Sequence, residues 1–210
     1  MKTFNTALIL LLFGCQNKDR TYVSEILTYS NYDKTSIKNT QIQDLYKLNF
    51  YYPKNKFEIT DNFIFNSNYP ITGDLFDYVL ENNFSEDKNN QYWNYYKKRS
   101  SVYYLGKIKS NTSIKSQIFL LKYNDPDDDF FIDKLILINS IKSSILSDIV
   151  LSYLFTSEFC MINSTHKNKN IFLVETRPCD RDDFDSLEEK QTLYATFKIN
   201  NNGYIEELKK

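Results

Sequence analysis

From Ser101 onward, β-branched and aromatic runs follow one another with only short polar breaks, and this pattern constrains the fold more than any other feature of the chain. The runs are "VYYLGKI", "SQIFLLKY", "FFIDKLILI", "IVLSYLFTSEFCMI", "IFLVET", "LYATFKI" and a closing "YIEEL". Runs of this length and composition read as strands. In the fourth, Leu151, Tyr153, Phe155, Phe159 and Met161 share one parity, while Ser152, Thr156 and Glu158 share the other. A period of two predicts one strand with the first set inside and the second set wet. The connectors "NDPDDD", "NSTHKNKN" and "NNNG" are too short for crossovers, so neighbours in sequence should pair antiparallel.

The preceding residues carry a different period. In "TGDLFDYVLENNF", Thr72 to Phe84, the apolar positions Leu75, Phe76, Val79 and Leu80 form a helical stripe. Thr72 or Asp74 is placed to cap its start, and Asn82-Asn83 to end it. "QIQDLYKL", Gln41 to Leu48, is a second helix candidate, and Phe57 to Phe65 reads as a strand. The expected class is therefore α+β: an antiparallel β-meander of five to seven strands in the C-terminal half, with one or two N-terminal helices packed on it. No Gly/Ser/Pro-rich linker interrupts the chain near Ser100. One domain over 22–210 is expected, mixed over 22–100 and meander over 101–210.

The amino terminus sets the expected location. The apolar run Ala7 to Phe13 follows Lys2 and stops at Gly14-Cys15, far short of the roughly 20 residues that cross a bilayer. It has the length of a signal-peptide core, without an Ala-x-Ala cleavage site. Leu12-Phe13-Gly14-Cys15 resembles the lipobox of bacterial lipoproteins. The resemblance implies a signal peptide over 1–14, removed on processing, acylation of Cys15 and a polar tether over 15–21. Two or three acyl chains would hold the protein on a membrane with no spanning segment, since each buried CH₂ contributes about 0.8 kcal/mol. The charged Gln16-Asn17-Lys18-Asp19 resembles a cell-surface export signal, but a tether on the outer membrane facing the periplasm is the expectation adopted. The order "FLLKYNDPDDDFFIDKLIL", "SEFCMINSTHKNKNIFLVET", "FKINNNGYIEEL" resembles small Bacteroidetes lipoproteins that end in an Ile-Asn-x-x-Gly-x-Ile hairpin. That likeness implies a β-rich envelope protein and brings no reaction with it.

Charge narrows the partners. Removal of residues 1–14 takes only Lys2, leaving 25 basic against 27 acidic side chains, a formal charge of −2. That balance carries no footprint for nucleic acid. With four glycines the chain has no Gly-rich phosphate cradle, and no metalloprotease or nucleophile-elbow motif occurs. The single histidine, His166, falls in a predicted hairpin turn and is expected to be exposed rather than part of a triad. Neither a catalytic set nor a cofactor is expected.

Four groups of residues remain as candidates. Cys160 and Cys179 either bridge in the oxidising envelope or stay as separate thiols. A hairpin from Met161 to Val174 would set Cys160 opposite about Glu175, so a bridge needs the chain to bend back after Pro178. The acidic groups Asn124 to Asp129 and Asp180 to Asp185 invite a calcium reading, but lack the spacing and glycine of a calcium loop. They are expected to be solvated turns with no metal. Glu158 and Glu175 form a carboxylate pair only if they face each other across a strand pair, where like charges repel. "YWNYYKKRSSVYY" interleaves Trp93 and Tyr96 with Lys97, Lys98 and Arg99, and is the first place to look for partner binding. The leading expectation is a non-enzymatic envelope lipoprotein, held to the membrane through Cys15, that binds a protein or cell-wall partner. A periplasmic immunity protein or an envelope hydrolase are the alternatives.

Overall fold

The computed structural model describes residues 29–34, 37–48, 50–53, 55–59, 69–84, 93–109, 113–127, 130–155, 160–168, 170–177 and 192–208. Eight strands run in order from Ser100: β4 (Ser100–Lys107), β5 (Lys115–Asp125), β6 (Phe130–Ile141), β7 (Ser144–Phe155), β8 (Cys160–Asn168), β9 (Ile171–Arg177), β10 (Leu193–Ile199) and β11 (Ile205–Glu207). The residues before them add β1 (Tyr29–Asn31), β2 (Lys56–Phe57) and β3 (Pro70–Ile71), together with helices α1 (Thr40–Lys47), α2 (Asp74–Asn83) and α3 (Trp93–Arg99). All eleven strands of the described residues join one sheet, in the order β11-β10-β9-β8-β7-β6-β5-β4-β3, with β1 on β7 and β2 on β8. The class is α+β and the meander is sequential, as the short connectors favour. The strand count exceeds the expected five to seven, and the described residues hold three helices where one or two were expected.

The extra strand in the second half comes from "IVLSYLFTSEFCMI", which is a hairpin and not one strand. Tyr153 pairs with Ile162 and Phe155 with Cys160. The period-two reading of this run fails for a second reason: Leu151 and Ser152 are both fully buried, so both faces of β7 are covered. Thr156, Glu158 and Phe159 lie outside the described residues. The same two-sided burial explains the unbroken apolar run in β5, where Ile118, Phe119, Leu120 and Leu121 are all inaccessible.

Register shows what covers each face. Gln117, Ile138 and Asp148 are level across β5, β6 and β7 and so share a face. There the Gln117 amide donates to the Ile42 carbonyl of α1, and Tyr78 of α2 donates to Asp148. Ser116, Asn139 and Ser147 are level on the other face. A buried chain of hydrogen bonds joins them: Ser116 to Asn139 at 2.7 Å, Asn139 to Ser147 at 2.8 Å, and Ser147 to the Gly203 carbonyl at 2.6 Å. Gly203 lies in the β10–β11 turn. The sheet therefore curls until its last hairpin lies against its own middle.

The curl begins where β7 and β8 part. Their pairing ends at Tyr153 and Ile162; beyond that, β7 takes β1 at Ser147–Ile149 and β8 takes β2 at Ser164–Thr165. Ser152 sits at the fork and accepts a hydrogen bond from the Ile59 amide at 3.0 Å. Phe57 and Ile59, both buried, enter the core beside it. Of the expected Phe57–Phe65 strand, only Phe57 is in a described strand, and 60–65 lie outside the described residues.

Both expected helices form. In α1 the Asn39 side chain accepts from the Ile42 amide, satisfying one of the free donors of the first turn, and Ile42 and Leu45 face the core. Helix α2 buries Leu75, Val79 and Leu80. Its N-cap is Gly73, with no side-chain cap, so neither Thr72 nor Asp74 plays the expected part. Asn82 and Asn83 do close it, their amides donating back to the carbonyls of Tyr78 and Val79.

Candidate functional site

The aromatic and basic segment Trp93–Arg99 is helix α3, which runs straight into β4. Its side chains turn toward the acidic turn at the end of β5. The Tyr95 hydroxyl lies 2.7 and 2.8 Å from the two carboxylate oxygens of Asp125 and 3.0 Å from Asp127. The Arg99 guanidinium stacks 3.5 Å from the Tyr95 ring centroid and reaches Asp127 at 2.8 Å. Tyr96 stacks on Phe84, Lys97 pairs with Asp77 at 2.5 Å, and Trp93 packs against the core. Lys98 alone of the five candidates is exposed and makes no such contact among the described residues.

Two sequence features that looked separate thus neutralise each other. Asp125 is 3% exposed, not the solvated turn residue expected. Hydrogen bonds from Tyr95, then Tyr123 and the Asp127 amide, with Arg99 nearby, hold its carboxyl below the usual range against the opposing effect of burial. The geometry makes this segment the seat of α3.

The other candidates fall elsewhere. His166 is in β8 and not in a turn; it is half-buried and stacks on Phe172 at 4.9 Å, directly opposite across the strands. Met161 pairs with Arg177 and Asn163 with Glu175, so Cys160 lies beyond the level of Glu175 predicted for it. Cys179 is outside the described residues, as are Glu158, Asp128, Asp129 and Asp180 to Asp185. Glu175 has Asn163 and Tyr194 as its cross-strand neighbours. Among the described residues no group of three or more His, Cys, Asp or Glu is placed to hold a metal ion.

A cleft of about 440 Å³ opens where the first strand meets the last hairpin, lined by Asn31, Tyr32, Asp33, Asn200, Tyr204, Ile205 and Glu206. The hairpin is built on the Ile-Asn-x-x-Gly-x-Ile pattern, and each position has a physical task. Ile199 and Ile205 are buried and paired. The Asn200 side chain accepts from the amides of Asn202 and Tyr204, while its backbone carbonyl accepts from Gly203. Asn31 then reads the hairpin as a strand would: its amide donates to the Ile205 carbonyl at 3.0 Å and its oxygen accepts from the Ile205 N–H at 2.8 Å.

Behind the cleft lies a buried carboxylate. Tyr32 donates to Asp148 at 2.9 Å, and Tyr78 of α2 donates to the same oxygen. Burial raises the Asp148 carboxyl above its ordinary value, and the two hydroxyls offset this in part. Burial and the Asp148 charge push Tyr32 up to about 12 and raise Tyr78 as well. No local motif announces this group, because Asp148 is 116 residues from Tyr32 and 70 from Tyr78 in sequence.

The cleft offers carboxylate and amide acceptors beside two tyrosines, and among the described residues its lining holds no serine, cysteine or histidine. Such a surface suits a ligand that presents hydroxyl or amine donors. No family model, curated protein or solved structure matches the chain.

Proposed function

We propose that this chain is a lipid-anchored protein of the bacterial cell envelope that binds a partner and does not transform it. The observation that carries the anchor is Leu12-Phe13-Gly14-Cys15, standing directly after a short apolar run and before a polar tether. No described helix is long and apolar enough to cross a membrane, so the acylated Cys15 would supply the attachment. The outer membrane, with the domain in the periplasm, is the proposed location. The cleft between Asn31–Asp33 and the Asn200–Glu206 hairpin is the proposed binding site, for a protein or cell-wall partner rich in hydroxyl or amine groups.

Growth with an alkyne-tagged palmitate tests the anchor. The chain should take up label and sediment with membranes, and Cys15→Ser should abolish the label. Equal labelling of Cys15→Ser would sink the lipobox reading. For the cleft, co-sedimentation with purified cell-wall polymer should fall in Asp33→Asn/Tyr204→Ser while the melting temperature holds; equal retention of the two proteins would remove the cleft from the account.

A further inference from the structure

The net charge of the chain is close to zero, yet lysines without a carboxylate partner among the described residues collect at one end of the sheet. Lys107 ends β4, Lys115 opens β5 level with Ser140 of β6, and Lys142 occupies the β6–β7 turn. Lys38 is bridged to Ser144 at the start of β7, and Lys109 follows β4 by two residues. The register therefore gathers five lysines at one end of the sheet, with Lys107 buried, Lys115 half-buried and Lys38, Lys109 and Lys142 exposed. At the other end Asp125 and Asp127 meet Arg99, and Lys97 and Lys98 stand on the same helix.

Among the described residues none of the five is ion-paired. The Lys107 ammonium instead donates to the Tyr46 carbonyl at the end of α1, 3.0 Å away, and lies 4.4 and 5.0 Å from the ring centroids of Tyr46 and Tyr51. Lys115 lies 4.4 Å from the Tyr46 ring. Beside them Phe50 and Tyr51 stay 36% and 47% exposed. Asp44 on α1 is already paired with Lys47, and the cleft beside β1 carries Asp33 and Glu206.

We propose that this lysine-rich, aromatic end is a docking surface for an anionic lipid bilayer. Lysines clustered at a membrane surface gain from anionic headgroups, and exposed aromatic rings settle at the headgroup level. A soluble polyanion would engage the lysines but leave Phe50 and Tyr51 in water. The proposal goes beyond anchoring by adding a second contact to the acyl chains and an orientation to the domain. Chain length permits it. Gln16 to Thr28 is thirteen residues and spans at most about 45 Å, more than the roughly 40 Å of the twelve-residue β7.

The test uses the full chain with Cys15 intact, reconstituted into vesicles of phosphatidylcholine alone or with phosphatidylglycerol. Flotation reads attachment, and a water-soluble amine reagent followed by peptide mapping reads contact. On anionic vesicles Lys38, Lys109 and Lys142 should label several-fold more slowly than in detergent, with Lys98 unchanged. High salt should remove the difference, since screening weakens exposed charge contacts. In Lys38→Gln/Lys109→Gln/Lys142→Gln, Tyr51 should regain its detergent rate of iodination.

Flotation on both vesicles with equal labelling at the two ends would overturn the docking surface and leave the anchor standing. Flotation on anionic vesicles alone, with the three lysines protected, would support the surface and remove the anchor. Flotation on neither would end both. Protection by a soluble polyanionic polysaccharide but not by vesicles would overturn the proposal in favour of that ligand.

Discussion

The hydroxyl of Tyr95 donates to both carboxylate oxygens of Asp125, thirty residues away in sequence, and so seats α3 on the end of β5. Because this bond leads in holding the carboxyl below the usual range, it links stability to pH. The stabilisation is fully present above the unfolded carboxylate value near 4 and is lost as pH falls through the lower folded value. Tyr95→Phe should therefore lower the denaturation midpoint at pH 6 and lower it less at pH 2.5. A gap that is constant across that range would show that the bond does not set the titration.

Asp148 should behave with the opposite sign. Its folded value is raised, so its contribution is present below the unfolded value near 4 and is lost as pH rises through the folded one. Relative to Asp148→Asn, the parent chain should gain stability as pH is lowered from 7 toward 4. Tyr78→Phe removes one of two donors to a buried carboxylate and should destabilise by about 2 kcal/mol at neutral pH. Denaturant titrations at pH 7 and 5 check both. A stability difference between the parent chain and Asp148→Asn that does not change with pH would refute the assignment.

Gly203 has φ +86, and a Cβ built there would meet Leu146 Cδ1 at 2.5 Å and Ile114 Cδ1 at 3.1 Å. Gly203→Ala should cost about 2–4 kcal/mol, combining left-handed strain with overpacking. Gly73 shares the positive φ, at +66, but has open space around it. Gly73→Ala should cost about 1–3 kcal/mol from backbone strain alone, because φ +66 with ψ −148 is open essentially to glycine. A Gly203→Ala loss below about 1 kcal/mol in denaturant melts would contradict the packing of the last hairpin.

Lys142 is the one described non-glycine residue with positive φ, at 53°. Asparagine accepts that conformation more readily, so Lys142→Asn should raise stability by roughly 0.5–1 kcal/mol. It should also quicken iodination of Tyr51 on anionic vesicles. Stabilisation without that change would mean that the turn lysine has no part in docking.

The meander was legible because most of its connectors are too short for a crossover, the fifteen residues between β9 and β10 being the exception, and α2 because its stripe is unbroken. The split of "IVLSYLFTSEFCMI" was not legible, since its period of two continues through the hairpin. Two-sided burial of β7 also hid the outward set: Ser152 is polar because it receives the Ile59 amide, not because it faces water. The Trp93–Arg99 segment and the Asp125 turn were each visible as a charge cluster, but only the fold brings them together. The same holds for Tyr32, Tyr78 and Asp148. The lysine end was masked by the net charge, which counts side chains without regard to register.

The pairing of Asn31 with Ile205 spans 174 positions of sequence, whereas the meander between them joins near neighbours. Local hairpins can form as the chain emerges, but β1 cannot acquire this contact until the last hairpin has been made. The cleft is therefore assembled at the end of folding. A chain interrupted between Ile199 and Ile205 would retain most of its strands and still lack one wall of the cleft, so loss of the cleft need not announce itself as loss of the sheet.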